Sequence, residues 1–249
     1  MICFFLVAGL QVGQAMPAFE TVAPGVEYRQ VKLAKPRSLV ISQLRCDPKQ
    51  VRFSLLLASD RKGNSRVARA EEMLKEFQLT AVINCSYFDE QEQPLGYHER
   101  LGRVLNSEVA SGGVFGGFFY WDGQRAGLKA RDESRPSGVP VLFQAGPRLV
   151  WEGEPIPGLE KTALAARSGV SIDGQGRVTI FALGLTSLTT LAELPDILRA
   201  PVDRGGLASR RALNFDGGSS TQFSLASKKR TFSLPGLAPV PAFLGVSAR

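Results

Sequence analysis

The sequence predicts a single α+β domain, with a largely antiparallel or mixed sheet core and a few packed helices. Three observations lead there. Short apolar, β-branched runs recur between clusters of Pro, Gly and Asp, the pattern of strands and turns. Only residues 66–77 and 187–199 carry helical spacing. The chain has 249 residues, 44% of them hydrophobic and 21% charged, enough for one buried core without disulfide staples.

Taken in chain order, residues 38–44 and 51–57 read as two strands across a Cys46-Asp47-Pro48-Lys49 turn, a hairpin or strand pair. Residues 60–65 form a polar loop. In 66–77, Val67, Ala70, Met73, Leu74 and Phe77 share one helix face. Residues 80–83 make a short buried strand that delivers Asn84. Residues 111–122 are rich in Gly and aromatics, and 130–139 read as an exposed loop. Strands follow at 140–150, 162–172 and 177–183, the last two joined by the Asp173-Gly174-Gln175-Gly176 turn. Ser187 is a cap candidate for the 187–199 helix, which Pro195 kinks or splits. Residues 212–215 form a buried strand ending at Asp216, and 240–246 close the chain as a strand.

Residues 1–15 carry no charged side chain, and their apolar run is too short to span a bilayer. With Gly13 and Ala15 in a small-x-small pattern they read as a signal peptide. That leaves 16–249 as the working domain, exported to a periplasm or secreted, with no stable membrane insertion. Cys46 and Cys85 then remain, as one bridge or as two buried thiols. One His in the chain excludes a three-His zinc site and a His pair on one helix face. His98 itself reads as a loop residue. The balance of 30 Lys and Arg against 23 Asp and Glu, a net +7, favours anionic partners and chooses none. A leader and the lack of a long basic run argue against nucleic acid.

Four segments could carry chemistry. In Leu213-Asn214-Phe215-Asp216-Gly217-Gly218-Ser219-Ser220-Thr221 an apolar strand runs into an acid, two glycines and three hydroxyls. Glycines let backbone N–H groups turn toward an anion; the plainer reading is an Asp-Gly turn. In Asn84-Cys85-Ser86-Tyr87-Phe88 a second strand delivers a polar residue, either for a sugar hydroxyl or phosphate or for its own turn. Arg167, inside an apolar strand, is costly unless its fork meets an anion, a structural carboxylate or a substrate phosphate. Gly146-Pro147 marks a fixed turn. The glycines of 112–117 match no dinucleotide fingerprint, and position 221 is Thr, so Ser219 is no nucleophile elbow.

In this order the segments resemble the phosphodiester glycosidase family, that of the mannose 6-phosphate uncovering enzyme. The shared pattern is an Asn-led aromatic turn, a Gly-Pro-x-Leu turn ending at Leu149, an Arg in a strand, and Asp-Gly-Gly-x-Ser, over roughly residues 38–246. Cys85 stands where the family usually carries Gly or another small residue, and Ser171 where it often carries Gly. The resemblance implies an α+β fold and hydrolysis of a sugar-1-phosphate diester to free sugar and a phosphate monoester. Carried onto this chain it implies Asp216, Arg167 and Asn84 as catalytic residues. Gly217, Gly218, Ser219, Ser220, Thr221 and Phe88 would be substrate-binding. One His and no ligand-spaced Cys pair point to no metal and no cofactor, with an all-carboxylate calcium site left open. The chemistry is consistent: the leaving group is already a stable anion, so a general acid matters less than charge stabilisation by an Arg, a glycine nest and one carboxylate. The competing expectation is a non-catalytic binder of anionic envelope or capsular glycan.

Overall fold

The computed structural model describes residues 16–249; the expected signal peptide lies outside the described residues. The chain opens with β1 (Glu20–Ala23), β2 (Val26–Leu33), β3 (Leu39–Cys46) and β4 (Val51–Leu57), followed by α1 (Ala70–Glu76). Next come β5 (Ala81–Asn84), β6 (His98–Arg100), β7 (Arg103–Asn106), β8 (Gly117–Trp121), β9 (Ala126–Ala130), β10 (Val141–Ala145), β11 (Arg148–Trp151) and β12 (Glu154–Pro155). The last part holds β13 (Arg167–Asp173), β14 (Val178–Leu183), α2 (Leu194–Arg199), β15 (Ser209–Asn214), β16 (Phe223–Ala226), β17 (Thr231–Leu234) and β18 (Ala242–Ala248).

These strands form an eight-stranded sheet, β1-β2-β3-β14-β13-β15-β11-β12, and two five-stranded sheets, β7-β6-β10-β8-β9 and β17-β16-β5-β18-β4. The pairings are antiparallel, as expected. The helical share is smaller than expected: 42% of the chain is strand and 11% helix, so the domain is β-rich rather than clearly α+β. Both helices come out shorter than their apolar spacing implied. Residues 66–69 run extended, with Ala68 bridged to Val240, and the helix begins only where the Glu72 carboxylate accepts the Arg69 amide. In the second, Pro195 sits in the first turn of α2, where its missing N–H costs nothing. Ser187 caps nothing; its hydroxyl accepts the Val40 amide.

The three sheets close on a shared core. Leu44, Phe53, Ile83, Phe143, Phe215 and Leu244 are all buried in it, drawn from every sheet. Phe143 is its hub, 5.4 Å from Phe119 and 5.5 Å from Phe215. This core explains a second difference. β3 and β4 form as expected but do not pair with each other; β3 lies between β2 and β14, while β4 pairs β18 in another sheet. The turn at Asp47 carries the chain from one layer to the next, so that Cys46 and Val51 bury into the same core from different sheets. Cys46 and Cys85 are both buried free thiols.

Candidate active site

Two strands of the large sheet and one of its neighbour meet at the site. β13 and β15 lie side by side, pairing Gly169 with Asn214, and the ladder extends one step as the Phe215 amide donates to Ser168 O at 2.8 Å. That register sets Arg167 and Ser168 beside the turn after Phe215. The close approach requires Gly169: a Cβ there would stand 2.4 Å from Leu213 O and 2.5 Å from the Phe181 ring.

Asn84, at the end of β5, joins the other sheet to this point. Its Nδ2 donates to the Asp216 carbonyl at 2.6 Å, and its Oδ1 accepts from the Ser168 hydroxyl and the Gln222 amide, both at 3.1 Å. Ser168 is fully buried and its hydroxyl also lies 3.1 Å from Asp216 O. The structure therefore makes Asn84 a clamp on the Asp216 backbone. It is 1% exposed and its acceptor is fully used, which turns the expected substrate contact into a positioning role.

The Asp216 side chain is free of any ion pair among the described residues. Burial raises its pKa to about 6, against smaller opposing effects of the Ser220 hydroxyl and the Gly217 amide. Arg167 is 8% exposed, and its guanidinium meets carbonyls in place of the structural carboxylate that one reading allowed. Nε donates to Thr189 O at 3.1 Å and Nη2 to Ala163 O at 2.8 Å; Nη1 has no partner among the described residues. Burial lowers the Arg167 pKa, while Tyr87 and the nearby Glu160 charge oppose that. A Cβ on Gly217 would stand 3.6 Å from Arg167 Nη1 and only 2.9 Å from Ala166 O, so glycine is required where the turn passes the guanidinium.

The glycine nest is partly spent inside the fold. The Gly218 amide donates to Ala166 O at 2.8 Å, and Gly218 takes φ +62°, which favours glycine. Of the three hydroxyl residues, Ser219 is exposed, Ser220 is buried against Asp216, and Thr221 is buried with Oγ1 unpartnered. Phe88 packs against the apolar cluster around α1 and its backbone bridges Pro94, which places it with the core.

Tyr87 was not among the expected site residues, yet it belongs here. Its hydroxyl donates to Gly146 O at 2.8 Å and lies 3.5 Å from Asn214 Nδ2. Burial first, and then the Asp216 charge, push its pKa up to about 12 against the opposing Asn214 hydrogen bond and Arg167 charge, so the phenol stands within the field of both groups. The sequence signal for Tyr87, Ser168 and Asn214 was adjacency to Asn84, Arg167 and Asp216 alone. His98, expected in a loop, lies buried in β6: its Nδ1–H donates to Gly96 O at 2.8 Å, so Nε2 accepts the Ser86 hydroxyl at 2.6 Å. Burial holds its pKa down to about 4, keeping it neutral.

The phosphodiester glycosidase family profile matches residues 77–247. The chain belongs to that family. Among solved structures, a hypothetical protein from Synechocystis aligns over 90% of this chain with TM-score 0.70 and 15% identity. The chain spans 62% of that protein's length. The catalytic domain of zebrafish N-acetylglucosamine-1-phosphodiester alpha-N-acetylglucosaminidase, auto-inhibited by its pro-peptide, aligns over 94% of this chain and 87% of its own, with TM-score 0.65 and 17% identity. At these identities the neighbours establish the fold. No curated protein matches. No described helix is long and apolar enough to cross a membrane.

Proposed function

We propose that this chain is an exported glycosidase that hydrolyses a sugar-1-phosphate diester, releasing free sugar and a phosphate monoester. The observation that supports the reading best is a pair of groups: an unpaired, desolvated carboxylate at Asp216 and a buried guanidinium at Arg167 with one unpartnered nitrogen. The two form no ion pair among the described residues, so neither charge is met by an opposite protein charge before a ligand binds.

In this reading Arg167 Nη1 takes a non-bridging phosphate oxygen. The guanidinium is held in place by Thr189 O and Ala163 O before substrate arrives, so little reorganisation is needed as charge grows on the leaving phosphate. Asp216 faces the anomeric carbon as nucleophile or base. Both roles need the ionised form, so activity rises as pH passes through about 6. Asn84 and Ser168 fix the Asp216 backbone, and Ser220 orients its carboxylate. Tyr87 lies within the field of both charges. No step calls for a metal.

Phosphorus NMR of a sugar-1-phosphate diester incubated with the protein tests this. A growing phosphate monoester signal with equimolar free sugar supports it. Binding without turnover supports the non-catalytic alternative. Export is tested separately, by mass spectrometry of the protein outside the cytoplasm: a mature N-terminus at Met16 is expected, and an intact Met1 refutes it.

A further inference from the structure

A hollow of about 550 Å³ opens beside the Arg167 end of the site, walled by the 112–116 loop on one side and the 156–160 loop on the other. Two of its lining residues are tied to the site. Pro147 lines it, directly after the Gly146 carbonyl that Tyr87 holds, and Pro147 O in turn accepts the Asn214 amide. Glu160 also lines it and acts on the Arg167 charge. A diester held with its sugar at Asp216 and its phosphate on Arg167 must send its second arm past Arg167.

Two guanidiniums wait there. Arg131 and Arg148 both line the hollow, and neither has an ion pair among the described residues. Arg131 donates from Nη1 to Gly112 O at 3.1 Å, which ties it to one wall. Arg148 lies over the Trp151 ring, 5.3 Å from its centroid, and its stem passes the Gly116 backbone, where a Cβ would come within 3.3 Å of Cγ. Two carboxylates also line the space. That of Glu160 is already committed, accepting the Thr162 and Ala163 amides and the Thr162 hydroxyl. Asp132 and Glu160 balance the two guanidiniums in formal charge, yet neither carboxylate pairs with Arg131 or Arg148 among the described residues, so both arginines keep donors free for a ligand anion.

We infer that this hollow is a leaving-group subsite that selects a second arm bearing its own anionic oxyacid group, read by Arg131 and Arg148. The inference rests on the glycosidase reading and narrows its substrate class: the group carried off with the phosphate monoester is itself acidic, as in a repeating phosphodiester or an acid-bearing polyol. A guanidinium held over an aromatic ring loses less freedom when it meets an oxyanion than a free surface arginine does.

The test uses three diesters of one sugar 1-phosphate, whose second arms are glycerol, glycerate and glycerol phosphate. For the wild-type protein kcat/KM for either acidic arm should exceed that for the glycerol arm about tenfold or more, the scale of one charge-assisted hydrogen bond. Preference for glycerol phosphate over glycerate assigns phosphate as the group read, and equal preference assigns any oxyanion. In the Arg131→Gln/Arg148→Gln protein, which keeps both stems, the acidic-to-neutral ratio should fall toward one, with Tm checked in parallel. A wild-type ratio near one, or a ratio the double variant does not change, overturns the subsite. No turnover of any of the three diesters refutes the glycosidase reading instead. Calorimetric binding of the same diesters to wild-type and double-variant protein then still decides the hollow, since equal affinities for acidic and neutral arms would sink it.

Discussion

Replacing Asp216 by Asn should make the protein more stable and nearly inactive. Burial raises the Asp216 pKa from 3.8 to about 6. The folded state therefore binds a proton more tightly than the unfolded chain does. Stability from this group is fully present below pH 4 and is lost as pH rises to 6. A gap of roughly two pKa units corresponds to about 3 kcal/mol at pH 7. Partial exposure of the carboxyl screens this, so about 2 kcal/mol is the working figure. Asn keeps the shape and can still accept from the Ser220 hydroxyl and the Gly217 amide, while the buried charge is gone. For a chain of this length Tm at pH 7 should rise by about 4–8 °C, and the difference should vanish near pH 4. Turnover should drop roughly a thousandfold or more, the scale of removing a group that meets developing charge. Paired thermal melts at pH 4 and pH 7, with turnover at pH 7, read all three. A Tm at pH 7 equal to or below wild type, or a shift independent of pH, would refute the desolvation argument; near-wild-type turnover would remove Asp216 from the chemistry.

Arg167→Lys keeps the charge but not the fork that spans Thr189 O, Ala163 O and a ligand oxygen, so kcat should fall and KM rise together in steady-state kinetics. Gly217→Ala sets a Cβ 2.9 Å from Ala166 O and beside Arg167 Nη1; its melting curve should show a loss of about 1–3 kcal/mol, with kcat reduced beyond the folded fraction. Ser168→Ala removes the hydroxyl shared by Asn84 Oδ1 and Asp216 O; a loss of about 1–2 kcal/mol is expected by denaturant titration, and an unchanged midpoint would show the clamp to be idle. Activity should survive extended EDTA treatment, since no cluster of three metal-binding side chains exists among the described residues; loss restored by one divalent ion would contradict this.

The parts of this architecture legible in the sequence are those where local pattern and burial agree. β5 and β15 read as short apolar runs delivering Asn84 and Asp216, and they occupy those places because β5 is buried throughout and β15 is buried from Ala212 to Asn214. Arg167 announced itself as a charge within an apolar strand. What stayed hidden depends on contacts across the chain. The pairing partners of β3 and β4 are chosen by the three-sheet core, which no local pattern encodes. The helical spacing at 66–69 lost to the bridge between Ala68 and Val240. β1 and β2 were missed, and β2 mixes apolar with charged residues because Arg29 is buried by donating to Gln43 Oε1 and to the Gly206 and Val202 carbonyls. At the site, Asn84 looked like a substrate contact because a buried amide and a cleft amide read identically in one dimension. Only the distance to Asp216 O separates them.

The position of bond cleavage tests the central claim most directly. In this account Asp216 acts at the anomeric carbon and Arg167 holds a departing phosphate, so the bond that breaks joins carbon to oxygen. Hydrolysis in water enriched in oxygen-18, followed by phosphorus NMR of the monoester product, reads the outcome through the isotope shift on phosphorus. A phosphate monoester with no label and a free sugar as co-product are expected. Label on the phosphate, or sugar 1-phosphate as the product, would mean attack at phosphorus and would contradict the assignment of both residues.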